Sequence, residues 1–187
     1  MALEDWNQYG ATSNATLNTD TFNEGNASLE LSGDSTLAVI YGQTETENPT
    51  EGQIVTDLQH GDSFALLFRF QDTQNFYVLN LDYIEFLYWQ AYYVQNGNTN
   101  LLDNGGDDPN SGTSWIKYRF TCWEDANNDL RFRVEYSDDG GSTWTQIGSD
   151  IVHGDPLFNS GGGIGVGKVT DVTEPGTSYV DQTELYY

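Results

Sequence analysis

The chain has 187 residues and carries 29 acidic against 6 basic side chains, a formal charge of −23. Nucleic-acid binding and docking on an anionic membrane both need cationic surface, so neither is expected. The 5 Trp, 12 Tyr and 9 Phe supply enough apolar surface for a core, which excludes an acidic disordered tail and fits one domain over 1–187.

Alternation of apolar and polar residues with period two runs through the chain, and helical periodicity is nearly absent. It predicts strands over 28–32, 36–41, 53–58, 63–70, 75–82, 84–95, 115–123, 129–137, 143–148, 162–168 and 178–187. Turn signals separate them, among them Asn96-Gly97 and Asp139-Gly140-Gly141. The polar stretches 42–52 and 96–114 read as surface loops. No apolar run approaches the ~20 residues of a membrane helix, and no basic and apolar leader follows Met1. Many short strands with turn punctuation predict a two-sheet antiparallel jelly-roll sandwich.

The stretch from Tyr83 to Val94 is aromatic at both parities. Ile84, Phe86, Tyr88, Tyr92 and Val94 are sufficient for a core face. Tyr83, Leu87, Trp89 and Tyr93 then stand on the other face, available to stack on sugar rings or to bury in a subunit contact. The alternative is a strand covered on both sides.

The best-specified unit spans 115–137. Ile116, Tyr118, Phe120 and Cys122 share one parity, and Leu130, Phe132, Val134 and Tyr136 continue that apolar face after a turn. A one-residue slip would bury charges, so the register is fixed. The outward face then gathers Lys117, Arg119, Arg131 and Arg133, four of the six basic residues, as a candidate contact surface. Cys122 lies on the core face and reads as an inert buried thiol.

In the turn of that hairpin, Asp125, Asn127 and Asp129 have the alternating oxygen pattern that opens a calcium loop. Leu130 stands where such a loop needs glycine, so an Asx-rich turn is the alternative. Asp103 to Asp108 is a second oxygen-rich segment. Ser137-Asp-Asp-Gly-Gly-Ser-Thr-Trp144 fits the Asp-box pattern of sialidase propellers, yet it occurs once, which favours a self-contained hairpin turn.

The run Ser63-Phe-Ala-Leu-Leu-Phe-Arg-Phe-Gln-Asp-Thr-Gln-Asn-Phe-Tyr-Val-Leu79 resembles the middle strands of concanavalin-A-like lectin and glucanase domains, the laminin-G-like jelly rolls. Trp115 to Phe120, Leu130 to Val134, Gly161 to Gly167 and Val180 to Tyr186 are similar in order and spacing. The resemblance covers roughly 60–187 and implies a fold more than an activity. Glucanases of that superfamily carry a strand of the form Glu-x-Asp-x-x-Glu. Here Glu45-Thr-Glu47 and Asp181-Gln-Thr-Glu184 come closest, the latter with a spacing that sends its two carboxylates to opposite faces of a regular strand.

Acidic, lysine-poor surfaces stay soluble in high salt. These features together give the expectation of a non-enzymatic structural or adhesion protein at the surface of a halophilic virus particle. It would assemble as a homo-oligomer with other virion proteins and take a host-surface glycan as ligand. The alternatives are an extracellular or cell-surface lectin domain and a glycoside hydrolase or sialidase-like enzyme.

Overall fold

A computed structural model describes residues 7–10, 15–20, 28–32, 37–41, 51–60, 63–82, 88–107, 114–159, 161–168 and 177–186. In chain order the strands are β1 (Asn7–Gly10), β2 (Ala15–Asn18), β3 (Ser28–Leu31), β4 (Leu37–Tyr41), β5 (Gly52–His60), β6 (Ser63–Asp72), β7 (Asn75–Asp82) and β8 (Tyr88–Gln95). There follow β9 (Asn98–Asp107), β10 (Ile116–Glu124), β11 (Leu130–Ser137), β12 (Thr145–Gln146), β13 (Ile151–His153), β14 (Gly163–Lys168) and β15 (Ser178–Tyr186). They form two antiparallel sheets. Sheet A runs β1-β4-β14-β6-β7-β8-β9, and sheet B runs β12-β11-β10-β5-β15-β3-β2, with β13 also paired to β11. The architecture is the expected concanavalin-A-like sandwich.

The main core lies between the sheets. Phe64, Leu66, Tyr77, Leu79 and Trp89 of sheet A meet Ile54, Leu58, Tyr118, Phe120 and Phe132 of sheet B. The β10–β11 hairpin has the predicted register, with Phe120 opposite Val134 and Arg119 opposite Glu135. Its apolar parity is buried except at the end residues Ile116 and Tyr136, which are half-buried, and its charged parity is half-exposed.

The central strands β6, β7 and β8 of sheet A are buried on both faces. Ala65, Leu67, Phe70, Phe76, Val78, Tyr92 and Val94 form a second buried apolar cluster on the side away from sheet B. This explains the unbroken apolar run of β6, which a half-exposed strand would not need. The change of parity between Phe68, in the main core, and Phe70, in the second cluster, occurs at Arg69. Arg69 has φ +48° and sits where the register with β7 slips. A bulge there re-aims the strand and buries Arg69 itself.

Two expectations change here. Residues 98–107 are strand β9 rather than loop, joined to β8 through Asn96 and Gly97, both with positive φ as a tight hairpin turn requires. Their Asn- and Asp-rich composition hid an edge strand that has only one apolar face to keep. The second change concerns β8, whose face assignment is reversed: Trp89 and Ala91 enter the main core, while Tyr92 and Val94 join the second cluster. The strand is covered on both sides. The expected strand residues 84–87 and the loop residues 42–50 lie outside the described residues.

Candidate functional site

The outward face of sheet B is assembled by register. Across it, Glu184 of β15, Val55 of β5, Arg119 of β10 and Glu135 of β11 lie in one row. Tyr186, Gln53, Thr121 and Arg133 form the next. Lys117 stands opposite Asp57 on the other side of the first row.

Each cation on this face is already neutralised. Lys117 Nζ is 2.9 Å from Asp57 Oδ2, and Arg119 donates from Nε and a terminal nitrogen to both Glu135 oxygens, at 2.7 and 2.6 Å. Arg133 grips both Asp150 oxygens at 2.7 Å, and Arg131 pairs with Asp125. The Arg133 hydrogen bonds hold the Asp150 carboxyl below its ordinary range. With buried Arg69 pairing Glu124, five of the six basic side chains sit in ion pairs. The expected cationic contact surface is therefore an alternating, charge-balanced ladder. Cross-strand opposite charges stabilise the sheet, and in a chain with six cations they leave none of these four to attract an anion.

The calcium reading fares similarly. Asp125 Oδ1 accepts the backbone N–H groups of Asn127 and Asp129, at 2.8 and 3.2 Å, and Oδ2 faces Arg131. Those bonds lower the Asp125 pKa, the Arg131 contact most. A guanidinium thus stands where a cation would be, and Asn127 points to solvent. Among the described residues no group of three or more His, Cys, Asp or Glu is placed to hold a metal. In the second oxygen-rich segment, Asp103 to Asp107 is part of β9.

Of the expected aromatic contacts, Tyr83 lies outside the described residues. Trp89 is fully buried and donates its indole N–H to the Ile147 carbonyl at 3.0 Å, so it cannot meet a ligand. Tyr93 is half-buried and stacks on His153, with ring centres 5.2 Å apart.

A groove does open on the outward face of sheet B. Its volume is about 360 Å³, and its floor is Gln53, Val55, Lys117 and Arg119. One wall is Gly140, Gly141 and Trp144; the other is Glu184 and Tyr186. Trp144 belongs to the Asp-box turn, which is closed by its own side chains. Asp139 Oδ1 accepts the Thr143 N–H at 2.9 Å and the Ser137 hydroxyl at 2.7 Å, and Oδ2 accepts the Thr143 hydroxyl at 2.8 Å. These bonds, the Thr143 N–H foremost, pull the Asp139 pKa down to about 2. Gly141 has φ +94°, a backbone conformation that side-chain-bearing residues rarely adopt, and a Cβ there would press on the Lys117 side chain at 3.2 Å.

The second wall owes its shape to a bulge. Asp181 pairs with Asp57 and Glu184 with Val55, a slip that puts three steps of β15 against two of β5. Asp181 and Glu184 consequently share the outward face, contrary to the expected parity. Asp181 is buried, whereas Glu184 is exposed in the groove wall and accepts a hydrogen bond from the Tyr186 hydroxyl. That bond raises the Tyr186 pKa. Tyr186 is 52% exposed, the one large aromatic among the described residues presented so openly. The alternation Glu184, Tyr186 in the last strand was the sequence signal for this wall. The bulge that aligns it with Gln53 and Val55 has no such signal.

The sandwich is similar to several solved structures. One is a GH43 protein from Bacillus licheniformis, with a TM-score of 0.60 and 13% identity over 97% of this chain and 36% of that one. Another, a protein of unknown function from Shewanella oneidensis MR-1, gives 0.55 and 14%, covering 97% of this chain and 77% of that one. A GH43 glycoside hydrolase engineered to display endo-xylanase and exo-arabinofuranosidase activity gives 0.51 and 17%, covering 94% and 36%. This chain spans about a third of the length of either GH43 protein. At these identities the likeness is one of fold. No family model matches the sequence, and no curated protein matches it.

Proposed function

We propose that this domain binds saccharides in the groove on the outward face of sheet B and does so without cleaving them. The observation that carries this reading is the pairing, across one groove, of Trp144 and exposed Tyr186 with the hydrogen-bonding side chains of Gln53, Arg119 and Glu184. Sugar rings offer apolar C–H faces edged by hydroxyls, and a site that takes them needs aromatic surface beside fixed polar groups. The floor is held still by the ion pairs of Lys117 and Arg119, so little side-chain order is lost on binding. One similar protein, a GH43 glycoside hydrolase, points in the same direction for the ligand class.

Titration calorimetry with xylohexaose, cellohexaose and a galactan oligosaccharide tests the reading. Saturable binding that weakens in Trp144→Ala and Tyr186→Ala supports it, and no binding to any of them overturns it. None of the structures compared above is described as a virus protein, so the proposal is confined to the ligand and leaves out the expected place in a particle.

One observation favours a hydrolytic reading, the bulge that brings Asp181 and Glu184 to one face. Two carboxylates flanking a glycosidic bond are the usual requirement of that chemistry. Asp181 is buried and does not border the groove, which is why binding is proposed instead. Release of reducing sugar from the same oligosaccharides, abolished by Glu184→Gln, would reverse the choice.

A further inference from the structure

We infer that the groove selects against anionic saccharides and that Glu184 is the residue that sets this preference, a step that rests on the saccharide-binding reading above. Five charged groups decide it: Lys117, Asp57, Arg119, Glu135 and Glu184. The two cations of the floor are each consumed internally, Lys117 by Asp57 at 2.9 Å and Arg119 by both oxygens of Glu135. To bind a carboxylate or sulfate, either would have to give up a partner that is itself half-buried or buried, leaving that acid desolvated and unpaired. Arg119 is further held by the Trp144 ring, 4.4 Å from its guanidinium carbon, which fixes its plane against the wall.

Among the described residues the remaining charge in the groove is Glu184. It is exposed, and its partner is a neutral hydroxyl, that of Tyr186, rather than a cation. With the floor neutralised, the field a ligand meets is that of an acidic side chain on the same wall as the open aromatic. An uncharged ring stacked on Tyr186 can donate a hydroxyl to Glu184. A uronate or sulfated ring in the same place sets like charges side by side with no cation to separate them. The sequence suggested the reverse, since four clustered basic residues read as a docking face for an acidic coat. Their register opposite Asp57 and Glu135 is what removes that option.

The experiment compares affinities of the intact protein for xylohexaose and cellohexaose with those for a galacturonate hexamer and glucuronate-bearing xylo-oligosaccharides. It is run in about 0.15 M salt, where the Debye length of about 8 Å exceeds a contact near 4 Å, and Glu184→Gln, which leaves the rest of the −23 field in place, is the control for that general field. The wild type should prefer the neutral probes at least about fivefold, the scale of one like-charge contact near 4 Å in water. In Glu184→Gln that ratio should fall towards one. Binding of the acidic probes as tight as or tighter than the neutral ones overturns the inference and leaves the saccharide reading standing. An unchanged ratio in Glu184→Gln removes Glu184 from the explanation. No binding to any probe sinks both, which keeps the two failures distinct.

Discussion

The guanidinium of Arg119 lies 4.4 Å from the centre of the Trp144 ring while both oxygens of Glu135 hold its other edge. The arginine therefore acts as a bracket. Its charge is spent on β11, and its plane braces the aromatic wall of the groove. If the wall contacts ligand, Trp144→Ala should weaken saccharide binding about two- to tenfold, the usual worth of one aromatic contact. The melting temperature should move little, because Trp144 sits outside the main core. Calorimetry on the variant reads the first quantity and thermal melting the second. A large loss of stability with unchanged affinity would assign Trp144 to packing alone.

The turn that carries Trp144 gives a prediction in acid. Hydrogen bonds from the Thr143 N–H and the Ser137 and Thr143 hydroxyls hold the Asp139 pKa at about 2, below its ordinary 3.8. A carboxyl whose folded pKa is depressed contributes stability that is complete above the ordinary value and is lost as pH falls through the folded one. Asp139→Asn should therefore melt lower than the wild type at neutral pH, and the gap should close between about pH 4 and pH 2. A gap that stays constant through that window would mean that the charge of Asp139 is not what closes the turn.

His153 gives a prediction of the same sign at milder pH. The Tyr77 hydroxyl accepts the Leu157 N–H at 2.7 Å and shares a hydrogen bond with His153 Nδ1 at 2.9 Å. Burial raises the Tyr77 pKa to about 12, which keeps it a donor. Burial lowers the His153 pKa, opposed by Asp155. As pH falls through about 6.5 the unfolded chain takes up a proton that the folded one refuses, so stability drops. His153→Gln should lose less stability than the wild type between about pH 6.5 and pH 5 in urea melts. Parallel curves for the two proteins would show that His153 is not the group responsible.

Much of this architecture is written in residue parity. The β10–β11 register follows from eight alternating apolar positions, and the structure pairs them as expected. Parity fails where the backbone inserts a residue. The Arg69 bulge flips Phe70 to the far face of sheet A, and the β15 bulge turns Glu184 into line with Val55. Neither is announced by glycine or proline. Parity also cannot say which face of β8 turns inward when both are apolar, so Trp89 was placed outside although it lies at the centre. The clustering of Lys117, Arg119, Arg131 and Arg133 was legible, but their neutralisation depends on Asp57 and Asp150, residues 60 and 17 positions from their partners.

Arg69 tests the first of those bulges. Its side chain is fully buried, and its two terminal nitrogens serve different partners: one donates to the Leu157 carbonyl at 3.1 Å and Asn159 Oδ1 at 3.2 Å, the other to Glu124. Arg69→Met keeps the volume and strands the Leu157 carbonyl together with Glu124, both on half-buried residues, so it should cost about 3 kcal/mol or more. Arg69→Lys should recover little, since one ammonium cannot span both partners. Urea midpoints at constant m-value measure the loss. A cost below about 1 kcal/mol, the scale of an exposed pair, would show that the fork contributes no more than a surface contact.

Net charge sets up a contest between two electrostatic effects. Five ion pairs favour the fold and weaken when salt is added, whereas repulsion among 29 carboxylates opposes the fold and weakens too. The chain has only six cations, so most of its carboxylates have no basic partner to lose. In four of the five pairs the cation itself is at least one-fifth exposed, and such pairs are worth about 1 kcal/mol or less each. Repulsion at −23 acts over the whole surface, and shortening the Debye length from about 10 Å at 0.1 M to about 3 Å at 1 M removes most of it. The melting temperature should accordingly rise between 0.1 M and 1 M sodium chloride. The groove should respond differently: its floor is neutral, so affinity for xylohexaose should stay within about twofold over the same range. A melting temperature that falls with salt would mean that the five pairs outweigh the repulsion, and the acidity would then have no role in how the protein tolerates its solvent.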